Sequence, residues 1–206
     1  MRSIDYYFSL VSPWAYLGHA PFLAIAGRHG CTVTYKPVFL GEVFSETGGL
    51  PLARRHPVRQ RYRLVELQRW REKRGVALNI HPKFWPFEVA LADRCVIALQ
   101  AAGIDPGAFV ARAFAGVWAR DENLADEAVL ADIAAEVGID PAAMLEGAHG
   151  EAAGAAYAGN IADAVAADVF GSPSYVVDGE VFWGQDRLDL LADMLASGRP
   201  AYSSDV

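Results

Sequence analysis

Two Ser-Pro pairs mark places where this sequence could do chemistry: Ser12-Pro13 in SLVSPWAYLGHA and Ser172-Pro173 in FGSPSYVV. Serine followed by proline at the start of an apolar run is the pattern of a helix N-cap with proline at the first helical position. A helix start also carries unpaired backbone N–H groups and the positive end of the macrodipole, so it favours negative charge. The Ser12 hydroxyl therefore has two readings, an ordinary cap or a hydrogen-bond donor to a bound anion such as a thiolate. A free thiol of pKa about 8.5 is only a few per cent ionised at pH 7, and lowering its pKa to about 7 takes roughly 2 kcal/mol. One dipole interaction plus one charge-assisted hydrogen bond is of that order. Other chemistries find less support. No Ser-His-Asp arrangement follows from spacing, and no glycine-rich phosphate loop is present. The five histidines are scattered, and Cys31 and Cys95 form neither a disulfide framework nor a metal-ligand pattern, so no metal is expected.

The elements that must position these residues follow from local pattern. Residues 3–10, SIDYYFSL, are aromatic and β-rich and read as a strand. A helix then runs from Pro13 to about Arg28 and stops at Gly30. Residues 31–39, CTVTYKPVF, alternate as a second strand, and a right-handed crossover makes the two strands parallel. The stretch from 41 to 169 reads as wholly helical. Within it RQRYRLVELQRWREKRG places Tyr62, Val65 and Trp70 as apolar positions, with Leu64 and Leu67 beside them. Asp-Pro at 105–106 and 140–141 marks helix starts. Near the end, SYVVDGEVFWG is a hairpin turning at Asp178-Gly179, and a helix from Gln185 to Ala196 is closed by Gly198 and Pro200.

The order βαβ, helical block, ββα predicts an α/β fold of thioredoxin-like arrangement with a large all-helical insertion. Residues 1–40 and 170–206 would form a discontinuous thioredoxin-like domain, and residues 41–169 the insertion domain. In such a fold the redox motif C-x-x-C occupies the junction of the first strand and first helix. Those positions read Ser12-Pro13-Trp14-Ala15 here, so dithiol chemistry has no sulfur to use. Phe170 to Val177 matches the loop that carries a cis proline in thioredoxin-like proteins. Ser172, just before Pro173, would then offer its backbone N–H and C=O to an extended peptide, and a tripeptide thiol fits that mode. Asp186, in the first turn of the last helix, either complements the dipole or grips the ammonium of a γ-glutamyl group.

The chain has 206 residues and a formal net charge of −7, which argues against binding nucleic acid or anionic membranes. No apolar run approaches the roughly 18 residues of a membrane span. Met1 to Asp5 leads straight into a strand with no apolar signal region, and two isolated thiols suit a reducing compartment, so the expected location is the cytoplasm. Half of the 18 basic residues fall between Arg54 and Arg74. That run reads as a solvated helix face, as a nucleic-acid patch that the acidic total opposes, or as a source of one or two anion-binding arginines, Arg54 or Arg55. In HPKFWPF, residues 81–87, Phe84 and Trp85 either line the core or form an aromatic wall for a flat substrate.

SLVSPWAYLG near the start, LQRW at 67–70 and FGSPSYVVDGEVFWGQDRL at 170–188 together resemble the 2-hydroxychromene-2-carboxylate isomerases. These group with kappa-class glutathione transferases and, more distantly, with DsbA-like oxidoreductases. The resemblance spans nearly the whole chain. It implies a homodimer with reduced glutathione as cofactor and a small conjugated aromatic carboxylate as substrate. It places Ser12 at the glutathione sulfur, Ser172 and Pro173 at the cysteinyl backbone, and Trp183, Gly184, Gln185 and Asp186 at the γ-glutamyl end. The implied reaction is isomerisation by reversible thiolate addition. Conjugation of glutathione to an electrophile is the alternative, and a non-catalytic peptide-binding module a third. Two positions depart from the family pattern. The loop after the second strand reads Thr47-Gly48-Gly49-Leu50-Pro51 without the family's asparagine, and Phe44 stands where some isomerases carry a lysine.

Overall fold

The computed structural model describes residues 2–204. Strand β1 (Ser3–Phe8), helix α1 (Pro13–Arg28) and strand β2 (Thr32–Pro37) form the opening βαβ unit. Helices α2 (Leu40–Thr47), α3 (Pro57–Arg74), α4 (Ala90–Ala101), α5 (Gly107–Ala119), α6 (Glu127–Glu136), α7 (Pro141–His149) and α8 (Glu151–Ala166) follow. Strands β3 (Ser174–Val177) and β4 (Glu180–Trp183) and helix α9 (Leu188–Ser197) close the chain. The sheet runs β2-β1-β3-β4, with β1 and β2 parallel and both later pairings antiparallel. This is the thioredoxin-like arrangement that the pattern predicts, with the helical block between β2 and β3.

Alternation along β1 explains how the sheet is covered. Ile4, Tyr6 and Phe8 face one core, shared with α1, α4, α5, α6, α7 and α9. Tyr7 points the other way, to a smaller cluster with Val38, Val43, Ile161 and Ala164. The hairpin turns where expected, with Asp178 at φ 51° and Gly179 at φ 87°, the left-handed pair that a two-residue turn requires. Gly18 lets α1 lie against residue 185, because a Cβ there would come within 2.7 Å of Gln185 Cβ and 2.8 Å of the Tyr175 hydroxyl.

Several expectations need correction. Residues 75–89 carry no helix; two prolines and a cis Trp85–Pro86 bond lie in this stretch. The run after Asp140 is two helices, because Gly150 is extended at φ −63°, ψ 149°. At 105–106 the helix begins one residue late, at Gly107, whose N–H donates to Asp105 Oδ1 at 2.9 Å. Residues 185–187 form a 3₁₀ turn ahead of α9. On α3 the buried residue is Leu67, against Leu17 and Leu78, whereas Tyr62 and Val65 are exposed.

His19 sits in the core against Tyr6, Tyr35 and Phe114, 3% exposed. Neither ring nitrogen has a hydrogen-bond partner among the described residues. Burial pushes its pKa down to about 4. Above pH 6.5 His19 is neutral folded or unfolded and adds no pH dependence. Between about 6.5 and 4 the unfolded chain takes up a proton that the folded chain refuses, so stability falls with pH, by about 3 kcal/mol in all. Urea titrations at pH 7 and pH 4.5 should show that His19→Phe removes this part of the acid loss. An unchanged difference between the two pH values would place the loss elsewhere.

Candidate active site

The junction Ser9–Ser12, between β1 and α1, is held from several sides. Trp118 Nε1 donates to the Leu10 carbonyl at 3.1 Å, and Trp85 Nε1 to the Val11 carbonyl at 3.0 Å. The Ser9 N–H donates to Ser172 Oγ at 3.1 Å. Ser12 is the N-cap of α1 at φ −95°, ψ 114°, with Pro13 in the first turn. Its Oγ accepts from the Ala15 N–H at 3.2 Å and donates to the Ser172 carbonyl at 3.1 Å. The Ser12 N–H goes to the Ser9 carbonyl and Tyr16 N–H to the Ser12 carbonyl. Pro13 has no N–H, so Trp14 is left as the first-turn donor with no acceptor among the described residues.

Facing this junction is the proline loop, where Ser172–Pro173 is cis. The loop is tied down by the Gly184 N–H to the Pro173 carbonyl at 2.8 Å and by Ser174 Oγ to the Gly171 carbonyl at 2.9 Å. The Ser172 N–H finds no acceptor among the described residues, while its carbonyl takes the Ser12 hydroxyl. Ser12 thus has one proton and two claims on it: the Ser172 carbonyl now, and any anion placed at the helix start. Gly171 and Gly184 allow close packing of the neighbouring side chains. A Cβ on Gly171 would run into the Trp183 indole, and Gly184, at φ 102°, has Asp186 Oδ1 where its Cβ would lie.

Both junction and loop open onto one cleft of about 1160 Å³. Ser12, Trp14, Ser172, Trp183, Gly184 and Asp186 line one part of it. Phe44, Arg55 and Trp85 also line it. Phe84, Arg54 and Pro173 do not, Pro173 being buried. Phe84 is an exposed loop residue with Lys83 stacked over its ring, and Arg54 is exposed at the end of a 3₁₀ turn. Gln185 lines the cleft but its side chain is taken: Arg74 donates to Oε1 at 2.8 and 3.1 Å and to the carbonyl at 3.0 Å. It therefore acts as a strut between α3 and the last turn. Asp186 lies in that 3₁₀ turn, where its carboxylate pairs with Arg187 at 2.6 Å. Phe44 and Gly49, the two departures from the family pattern, are coupled. The Phe44 ring fills the space a side chain at 49 would occupy, and Arg55 stacks over that ring at 5.9 Å.

Sequence reasoning missed Arg63, which lines the cleft from α3 with its guanidinium 5.4 Å from the Trp85 ring centroid. A signal existed. Positions 59, 62, 63, 66 and 70 recur at helical spacing and all line the cleft, so the run of cations has an inward face. Neither cysteine lines the cleft. Cys31 is half-buried, and burial pushes the thiol of Cys95 up to about 12. Among the described residues no three His, Cys, Asp or Glu side chains gather as a metal site, and no helix is long and apolar enough to cross a membrane.

A DSBA-like thioredoxin domain model matches residues 3–196. A 2-hydroxychromene-2-carboxylate isomerase of Sphingobium xenophagum is 32% identical over 196 residues, covering 94% of this chain and 98% of the relative. Glutathione S-transferase kappa 1 of Caenorhabditis elegans is 27% identical over 209 residues, covering 96% and 92%. The solved structure of an HCCA isomerase, 27% identical, superposes with a TM-score of 0.77 over 95% of each chain. In sequence and in three dimensions, this chain belongs to the DsbA-like thioredoxin-domain family, in the group that holds the 2-hydroxychromene-2-carboxylate isomerases.

Proposed function

We propose that this protein is a glutathione-dependent isomerase acting on a conjugated aromatic carboxylate of the 2-hydroxychromene-2-carboxylate type. The observation that carries the reading is that Ser12, Trp14 and Ser172 line one cleft, with the Trp14 and Ser172 N–H groups lacking an acceptor among the described residues and no cysteine in the lining. Donors without sulfur suit a thiol brought in from outside. The cleft, at about 1160 Å³, exceeds the ~300–1,000 Å³ usual for one small ligand, so a tripeptide and a flat substrate have room together.

In this reading the tripeptide backbone lies against Ser172, and Pro173, buried outside the cleft lining, contributes only to the loop that carries it. Its γ-glutamyl end meets Trp183, Gly184, the Gln185 backbone and Asp186. The chemistry a bound thiol supplies is reversible addition to a conjugated double bond, which frees rotation about that bond and involves no net oxidation. Ser12 turns its proton from the Ser172 carbonyl toward the sulfur and holds it ionised, with the Trp14 N–H and the α1 dipole. Phe44 and Trp85 stack on the flat substrate, and Arg55 supplies positive charge beside Phe44. Residues 1–40 and 170–206 hold the thiol, and residues 41–169 contribute the aromatic and cationic wall. The same reading makes the protein a homodimeric cytoplasmic enzyme of aromatic catabolism.

The main rival is glutathione transfer to an electrophile, favoured by Phe44 and Gly49 in place of the lysine and amide of isomerases. Calorimetry with reduced glutathione, followed by product analysis on a 2-hydroxychromene-2-carboxylate, separates the readings. The expected result is saturable binding and turnover with the thiol pool undiminished. One glutathione consumed per product would make the protein a transferase. Failure to bind at millimolar thiol would leave only a peptide-binding module.

A further inference from the structure

We propose that Arg63 recognises the carboxylate of the flat co-substrate and sets the specificity of the cleft for acids. The inference rests on the reading of the site given above, which assigns the other part of the cleft to the thiol. Four arginines line the cleft, Arg55, Arg59, Arg63 and Arg187, and Arg187 is paired with Asp186 at 2.6 Å. Arg55 donates Nε to the Leu50 carbonyl at 2.8 Å, and Arg59 is exposed. Arg63 is half-buried, yet no carboxylate or carbonyl among the described residues accepts from it. Glu66, one turn along α3, is occupied by Arg69 at 2.5 Å.

Three other half-buried cations show the usual pairing. Arg112 holds Glu122 and Glu136, Arg199 holds Glu180, and Lys36 holds Asp163 and Asp5. Arg94 shares the lack of a partner but does not line the cleft. Burial, and next the charge of Arg55, lowers the pKa of Arg63 to about 10, so it remains a cation at neutral pH. A desolvated guanidinium without a counter-ion gains most from an anion that arrives with the ligand.

Geometry supports a planar acid in particular. The contact with Trp85, 5.4 Å from the guanidinium carbon to the ring centroid, is a cation–π contact that uses up no carboxylate or carbonyl acceptor, so the N–H groups of Arg63 remain to be paired by a carboxylate. The same indole donates to the Val11 carbonyl, next to Ser12. Trp85 therefore fixes both the cation and the junction carrying the reactive end, which ties carboxylate recognition to placement of the double bond. Arg63 and Trp85 also line a second cavity of about 450 Å³, so they form part of the partition between the two. Truncation to alanine would breach that partition, and methionine is the better probe of charge.

The experiment is equilibrium binding to the full chain of three probes: coumarin-3-carboxylate, its methyl ester, and reduced glutathione. Wild type is compared with Arg63→Met and Arg63→Lys, with thermal unfolding as the check on folding. Arg63→Met should weaken the acid by roughly 10- to 100-fold, the loss of a charged hydrogen-bonded pair, and leave the ester and glutathione within about threefold. Arg63→Lys should retain part of the acid affinity. The proposal is overturned if wild type does not bind the acid, if acid and ester weaken equally, or if only glutathione weakens. If wild type binds no glutathione but binds the acid through Arg63, the thiol reading fails and the assignment of Arg63 stands.

Discussion

Ser12→Ala should lower turnover by roughly 10- to 100-fold at neutral pH, the loss of one hydrogen bond to a charged sulfur. It should also raise the pKa of the bound thiol toward its free value of about 8.5. The sign follows from which form the hydroxyl favours. Ser12 stabilises the thiolate, so its loss moves ionisation to higher pH. The rate deficit is then largest below the wild-type pKa and shrinks as the medium ionises the thiol unaided, above pH 9. Ser12 is also a cap, with bonds to the Ala15 N–H and the Ser172 carbonyl. Losing them costs about 1–2 kcal/mol of stability. A purely structural role would lower Tm and leave the pH profile where it was. Ser12→Thr keeps a hydroxyl and should recover most of the rate, whereas a profile identical in wild type and Ser12→Ala would remove the assigned role.

What the sequence made legible was what depends on neighbours in the chain. Ser12-Pro13 opens α1, Gly30 follows its end, and Asp178-Gly179 turns the hairpin, because each needs only its local backbone conformation. From these the βαβ and ββα units follow, and the sheet with them. What stayed hidden depends on distant partners. Gln185 reads as a candidate ligand until Arg74, far away in sequence, is seen to occupy its side chain. Phe84 and Trp85 are adjacent in a loop with no periodicity, so nothing local says that Trp85 faces the cleft while Phe84 lies outside it. Arg63 was masked by its own company. In a run of cations a solvated face is the simplest expectation. Helical spacing marks only an inward face, and what sets Arg63 apart is half-burial beside Trp85, brought in by the non-helical stretch 75–89, with no carboxylate partner among the described residues.

The largest effect on stability is expected at Trp118, one of the largest fully buried side chains, and here the scaffold and the site become the same question. Trp118→Ala should cost about 3–5 kcal/mol, a large part of the 5–15 kcal/mol of a typical domain. At roughly 2–4 °C per kcal/mol for a chain of this size, Tm should fall by about 10 °C. Two contributions are separable. The ring packs in the core 6.0 Å from Trp85, and the Nε1–H satisfies the Leu10 carbonyl two residues before Ser12. Trp118→Phe keeps most of the packing and leaves that carbonyl without its donor, which should cost about 1–3 kcal/mol. The junction would then lose one of the two indoles that hold it, leaving Trp85 on Val11. Glutathione affinity in Trp118→Phe, measured well below its Tm, should therefore fall although the residue does not line the cleft. If urea unfolding finds Trp118→Phe as stable as wild type and thiol affinity is unchanged, the indole N–H is not an anchor of the helix start. Trp85, the cis-proline loop and the cap would then be sufficient to hold Ser12 in place.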